Sequence, residues 1–183
     1  LGFPIAKRDN EKWKYTSVIP LARSRFRYCF EPNDDVVTVP AIRELLPWQE
    51  DWTRLVFLDG LYSDQMSNSS KNSSAIYVGQ LHEAMADRSD VIETGLGSLV
   101  SSCKDGFSAV NTAFLRDGAF VHSGDDVSSE RVIHLIFVST GYKDPTVSYP
   151  RTLVLTGSGS NLTVIESYVG LSNNSYFTNA VTE

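Results

Sequence analysis

The hydrophobic pattern changes period near Lys104, and that change restricts the fold more than any other feature. Downstream, apolar and β-branched runs recur between turns: "AVNTAFL", "AFVH", "VIHLIFVS", "RTLVLT", "NLTVIESYVG" and "YFTNAV". The separators "RDG", "SGDD", "GYKDP" and "GSGS" are turn sequences. Six short strands at such spacing, with no helix among them, predict a sandwich, a barrel or a β-solenoid. Their uneven spacing shows no crisp repeat, so the pattern by itself does not choose. "VIHLIFV" is apolar on both alternating faces except at His134, the mark of a strand covered on both sides.

Upstream the reading is mixed. "PAIRELLPW" predicts a helix with Pro40 in its first turn, Ile42, Leu45 and Leu46 at helical spacing, and Pro47 stopping it. "LVFLDGLY" predicts a hairpin, because Asp59-Gly60 readily takes the positive φ angles of a type I′ turn. "SNSSKNSS" (67–74) is a polar loop. "GQLHEAMADRSDVIETGLGSLV" predicts one or two short helices with Leu81, Ala84 and Met85 on one face. The expected division is a mixed, partly helical domain over 1–103 and a mainly β domain over 104–183.

Charge argues against nucleic acid. Residues 1–60 carry nine basic and nine acidic side chains, so the net charge of −6 comes entirely from residues 61–183. A nucleic-acid-binding chain normally shows a basic surplus. Arg23, Arg25 and Arg27, with Lys7, Arg8, Lys12 and Lys14 upstream, form a basic cluster beside Asp9 and Glu11 that reads as a solvated face. No apolar run approaches the ~18 residues of a membrane span. Cys29 and Cys103 are far apart and in no metal-binding spacing, which fits a reducing compartment and predicts idle thiols. Sequons at Asn68, Asn72, Asn161 and Asn173 matter only in a secreted protein. The chain begins at Leu1 and stops inside an expected strand, so a longer parent protein is expected.

The candidate chemistry is sparse. His122, Ser123 and Asp125 are neighbours in sequence, but adjacent strand residues face opposite ways, which spoils a triad. His122 and His134 are two possible metal ligands without a third, and hydrogen-bonded core histidines are the simpler reading. Asp125-Asp126 after Gly124 reads as a turn rather than as paired glycosidase carboxylates. "GSGS" lacks the lysine and the helix of a phosphate loop, and "GLGSLV" has Val100 where a dinucleotide fingerprint needs glycine. No catalytic, cofactor-binding or metal residue is assigned.

Two stretches carry a resemblance. "GFPIAKRDNEKWKYTSV" (2–18) resembles the N-terminal signature of the SufB/SufD family of the SUF iron–sulfur cluster assembly system. "FSAVNTAFLRDGAFVHSGDDVSSERVIHLIFVS", "YPRTLVLTGSGSNLTVIESYVG" and "YFTNAVTE" resemble the family's core segment by segment. The tryptophan-bearing N-terminus and "NTAFLRDGAFVH" favour its SufD branch over SufB. Together these cover about half of the chain.

The resemblance implies an α+β, partly helical N-terminal region followed by the first part of a right-handed parallel β-helix. In that arrangement Phe114, Phe120, Leu135, Phe137, Leu153, Leu155, Val164 and Ile165 feed the core, and Gly118 supplies a permissive corner after Arg116-Asp117. It also implies a non-enzymatic scaffold subunit, in bacterial cytoplasm or plastid stroma. Its implied partners are a SufB-like subunit and a SufC-like ABC ATPase, with no nucleic acid and no membrane. No cofactor is expected on this stretch, the iron–sulfur cluster being assembled transiently by the full complex. The competing expectation is a secreted β-helix carbohydrate-active enzyme, supported by the four sequons.

Overall fold

The computed structural model describes residues 11–32, 34–68, 75–100, 106–141 and 144–183. The opening "GFPIAKRDN", most of the serine-rich loop with Asn72, and Cys103 with Lys104 lie outside the described residues.

In chain order the helices are α1 (Ile19–Arg23), α2 (Val39–Arg43), α3 (Leu81–Asp87), α4 (Ser89–Gly95) and α5 (Gly106–Ala113). The strands before α5 are β1 (Arg27–Tyr28), β2 (Thr53–Leu58), β3 (Leu61–Tyr62) and β4 (Ile76–Gln80). After it come β5 (Gly118–Ser123), β6 (Ser128–Ser139), β7 (Thr146–Ser148), β8 (Arg151–Thr156), β9 (Asn161–Gly170), β10 (Tyr176–Thr178) and β11 (Val181–Thr182). They form three sheets, ordered β1-β7-β10, β11-β8-β5-β4 and β3-β2-β6-β9.

This overturns the expected opening of a right-handed parallel β-helix. The described strands lie in three open sheets, and two of these are mixed, because β3 runs antiparallel to β2 and β4 antiparallel to β5. Strands from the first hundred residues take part in every sheet: β1 pairs with β7, β2 with β6 and β4 with β5. The architecture is α+β. The local cause is turn chemistry: Asp59 (φ 48°) and Gly60 (φ 88°) reverse the chain as the Asp-Gly pair predicts, pairing Leu58 with Leu61.

Packing follows from strand alternation. The even-numbered side chains Val56, Leu58, Ile136 and Val138 pack with Val37, Ile42 and Met66 around α2. The odd-numbered Leu55, Phe57, Leu135 and Phe137 pack on Ala119 and Val121 of β5. Phe120 and Leu153, on the far face of that second sheet, bury Leu81, Ala84 and Ile92 of α3 and α4. Two sheets therefore stand face to face between helical layers, and β6 is covered on both faces as its sequence predicts. In-register parallel pairing also stacks like on like. Phe57, Phe137 and Tyr168 occupy equivalent positions on β2, β6 and β9, with ring centroids 5.0 and 4.9 Å apart.

Three local expectations fail for physical reasons. "AVNTAFL" does not form a strand; its first part belongs to α5, where helical spacing puts Phe107 and Asn111 on one face. Phe114, just past that helix, is 51% exposed and outside the core. Gly118 does not have a positive φ. Its constraint is crowding, since a Cβ there would sit 1.7 Å from the Arg151 carbonyl oxygen on the paired strand.

Even alanine at position 118 forces β5 and β8 apart, so Gly118→Ala should cost about 3 kcal/mol or more, lowering Tm by roughly 6–12 °C. A melting curve that superposes on the wild type would remove close strand approach as the reason for this glycine.

Candidate functional site

The residues that look most conspicuous in the sequence do not meet. His122 lies on the α3/α4 side of its sheet, parallel to the Phe120 ring at 6.0 Å and opposite Tyr77 and Leu155 in register. His134 lies on the α2 side of the other sheet, with the Leu55–Phe137 core layer between the two. It is fully buried, its Nε2 is 2.8 Å from Ser167 Oγ, and Trp52 packs edge-on at 5.6 Å. Ser123 is buried, and among the described residues its hydroxyl has no partner. Asp125 accepts a bond from the Ser158 backbone N–H at 2.7 Å, and Ser160 Oγ donates to the Gly124 carbonyl at 2.6 Å. "SGDD" and "GSGS" are thus two turns bound to each other. Of the sequons, Asn68 is built into the fold: its Oδ1 accepts from Arg54 N–H and its Nδ2 donates to the Trp52 carbonyl at 3.0 Å.

The strongest polar constellation is one that sequence reasoning missed. Arg151 is 2% exposed and forms an ion pair with the buried Glu183 side chain. Its Nε donates to Glu183 Oε1 at 3.0 Å and its Nη1 to Asn111 Oδ1 at 3.0 Å. Asn111 Nδ2 donates to the carbonyls of Pro150 (3.0 Å) and Asn179 (2.8 Å), and Asn179 Nδ2 donates to the Phe107 carbonyl (2.9 Å). The Glu183 carboxylate also accepts the backbone N–H groups of Gly97, Leu99 and Val100. Burial would raise its pKa, but these N–H donors and Arg151 outweigh burial and lower it. The available signal was polar residues inside apolar runs: "AVNTAF", "PRTLVL" and "TNAVTE". These are the segments that carried the family resemblance. Every donor here is used internally, so the constellation clamps α5 and the 97–100 turn onto β8 and β11.

The open chemistry lies in a groove around residues 27–32. A cavity of about 490 Å³ on one side is lined by Cys29, Arg27 and Asp59. A second of about 270 Å³, sharing Phe30 and Pro32, is lined by His82, Arg116 and Asp117. Asp59 is 6% exposed; its Oδ1 accepts from Thr140 N–H (3.0 Å) and Thr146 Oγ (3.1 Å), and its Oδ2 from Thr140 Oγ (2.6 Å). Burial and, after it, the nearby Asp59 charge raise the pKa of the Cys29 thiol. Cys29 is therefore protonated at neutral pH and a weak nucleophile. Asp117 accepts the N–H groups of Gly118 (2.8 Å) and His82 (3.2 Å), and burial raises its pKa despite them. Both carboxylates are structural anchors that happen to edge a groove. Among the described residues, no three His, Cys, Asp or Glu side chains are placed to share a metal ion. What the groove offers is a surface for binding, with aromatic rings and guanidinium groups rather than an activated nucleophile.

With that geometry in view, comparison with known proteins decides the family. A family model described as the SufBD protein N-terminal region matches residues 1–135. The chain belongs to the SufBD family. A curated Synechocystis sp. relative, named an iron-sulfur cluster assembly SufBD family protein, is 29% identical over 185 aligned positions. That alignment covers 97% of this chain and 40% of the relative, so the chain spans two-fifths of the relative's length. The SufBD match ends within β6, while Arg151, Asn179 and Glu183 of the clamp lie beyond it.

Two measurements check this account. Glu183→Ala strands the Arg151 guanidinium in the interior and should cost about 3–5 kcal/mol; unchanged thermal stability would mean the pair is not buried in solution. Burial and the neighbouring Arg54 lower the pKa of His134 below its ordinary 6.5. The native state then favours the neutral ring, so its contribution is intact above about pH 6.5 and declines as pH falls through the lowered folded-state value. Tm followed from pH 8 to 5 should fall less steeply in His134→Gln than in the wild type, and parallel curves would refute the assignment.

Proposed function

We infer that this chain is part of a non-enzymatic scaffold subunit, of the SufD type, in a SufBCD-like complex that supports iron–sulfur cluster assembly. Family membership over residues 1–135 carries the reading, and the name of the Synechocystis relative gives it its chemistry. The SufD assignment rests on the wording of "GFPIAKRDNEKWKYTSV" and "NTAFLRDGAFVH". The scaffold role is supported by how the polar groups are spent: Arg151, Glu183, Asn111 and Asp59 hold backbone and each other. In this reading the partners are a SufB-like subunit and a SufC-like ABC ATPase, the ATP hydrolysis belongs to the latter, and the cluster is the complex's product. The setting is bacterial cytoplasm or plastid stroma. No helix among the described residues is long and apolar enough to cross a membrane.

The secreted carbohydrate-active enzyme has less to recommend it. Such an enzyme needs two carboxylates facing each other across a sugar bond, whereas Asp125 is tied to the Ser158 backbone in a turn.

Co-expression tests the proposal. A parent chain of the relative's length, and a version ending at Glu183, are each expressed with SufB-like and SufC-like subunits of the same source. The parent should co-purify with both, and the shorter version should lose the SufC-like ATPase. A parent that retains neither partner would leave the family membership intact and sink the scaffold role.

A further inference from the structure

The sheet β1-β7-β10 carries a continuous run of aromatic side chains that the three core layers do not use. Phe26 meets Phe177 at 5.9 Å, and both line, with Leu21, Val147 and Tyr149, an apolar cavity of about 280 Å³ under α1. Tyr149 stacks on Phe114 at 5.0 Å, Tyr28 lies 6.0 Å from each of them, and Phe30 meets Tyr28 edge-on at 5.3 Å. The strip is open to solvent where Phe114 is 51% and Phe30 70% exposed. Scattered exposed rings are ordinary, but a contiguous set leading into an apolar cavity is the pattern of an interaction site.

Its edge is cationic. Arg23 and Arg25 are exposed, belong to the segment that forms the cavity wall, and make no ion pair among the described residues. The Arg116 guanidinium lies over the Phe30 ring, 5.7 Å from its centroid. Arg27 is partly neutralised by Asp144 at 3.8 Å. This local excess of positive charge stands on a chain whose net charge is −6, so it selects a partner of opposite sign.

We propose that this strip is the docking site for an acidic peptide segment of a partner protein, carrying an apolar or aromatic anchor that enters the cavity under α1. Carboxylates on either side of the anchor pair with Arg23, Arg25 and Arg116, and the anchor completes the aromatic packing begun by Phe26, Tyr149 and Phe177. Single-stranded nucleic acid also uses arginine with aromatic stacking. It needs an unbroken positive track for its phosphates, however, and here Glu31 and Asp144 interrupt the track. The docking site stands independently of any role in cluster assembly.

The test uses a parent chain of the relative's length and a fluorescein-labelled 14-residue peptide in which Asp and Glu flank a central Leu-Phe pair, read by fluorescence anisotropy. Comparison ligands are the same peptide with Lys for every acid, the same peptide with Ser for Leu-Phe, and oligo(dT). The acidic peptide should bind at least tenfold more tightly than either altered peptide, and rising salt should weaken it. The double variant Arg23→Glu/Arg25→Glu, reversed at exposed positions, should bind at least tenfold more weakly at unchanged Tm, and Phe114→Ser should weaken binding as well. No detectable binding, no preference over the lysine peptide, or unaltered binding by the charge-reversed variant would each overturn the proposal. Tighter binding of oligo(dT) than of the acidic peptide would replace it with a nucleic-acid site.

Discussion

The buried ion pair between Arg151 and Glu183 is the contact on which the second half of this structure depends. A guanidinium taken out of water costs several kcal/mol unless its donors are all met, and here they are met by Glu183, Asn111 and Thr112. Those acceptors come from α5 and from the residue that follows β11, and they converge on the first residue of β8. Glu183 in turn captures three backbone N–H groups of the 97–100 turn after α4. One desolvated cation thus ties together four segments that the hydrophobic layers by themselves would leave free to slide.

Asp59 plays a related part at the other end. It occupies the first central position of the hairpin turn, where its positive φ is tolerated, and sends its carboxylate inward to the Thr140 and Thr146 groups. The β2–β3 hairpin is thereby bonded to Thr140, just after β6, and to Thr146, the first residue of β7, across 81 and 87 positions of sequence. Burial and, after it, the Asp59 charge raise the pKa of Cys29, which stays protonated at neutral pH. The thiol in the groove is accordingly a weak nucleophile, and what remains available there is aromatic and cationic surface.

Much of the local structure was legible. The Asp59-Gly60 hairpin, the split helical pair α3 and α4, and the double-sided burial of β6 follow from turn chemistry and periodicity acting over a few residues. The errors arose where distant contacts outweigh local preference. "AVNTAF" alternates like a strand but becomes helical, because α5 lets Asn111 reach the carbonyls of Pro150 and Asn179 together. Gly118 reads in sequence as a corner and is instead a point where two strands nearly touch. The expected β-helix gave way to open mixed sheets, since the partners of β5, β6 and β7 include strands from the first hundred residues.

The sequence by itself determined the Asp59-Gly60 turn, the alternation of side chains along each strand and the charge asymmetry, since all of these are properties of neighbouring residues or of composition. It could not determine which polar residues are clamps and which are available. Asn111, Arg151, Asn179 and Glu183 read as ordinary polar interruptions in apolar runs, and only folding brings them within hydrogen-bond distance. The aromatic strip is equally a product of tertiary structure. Phe26 and Phe30 come from one end of the chain, Phe114 and Tyr149 from its middle and Phe177 from its other end, and they become one surface only when parallel pairing lays β1 and β10 on either side of β7.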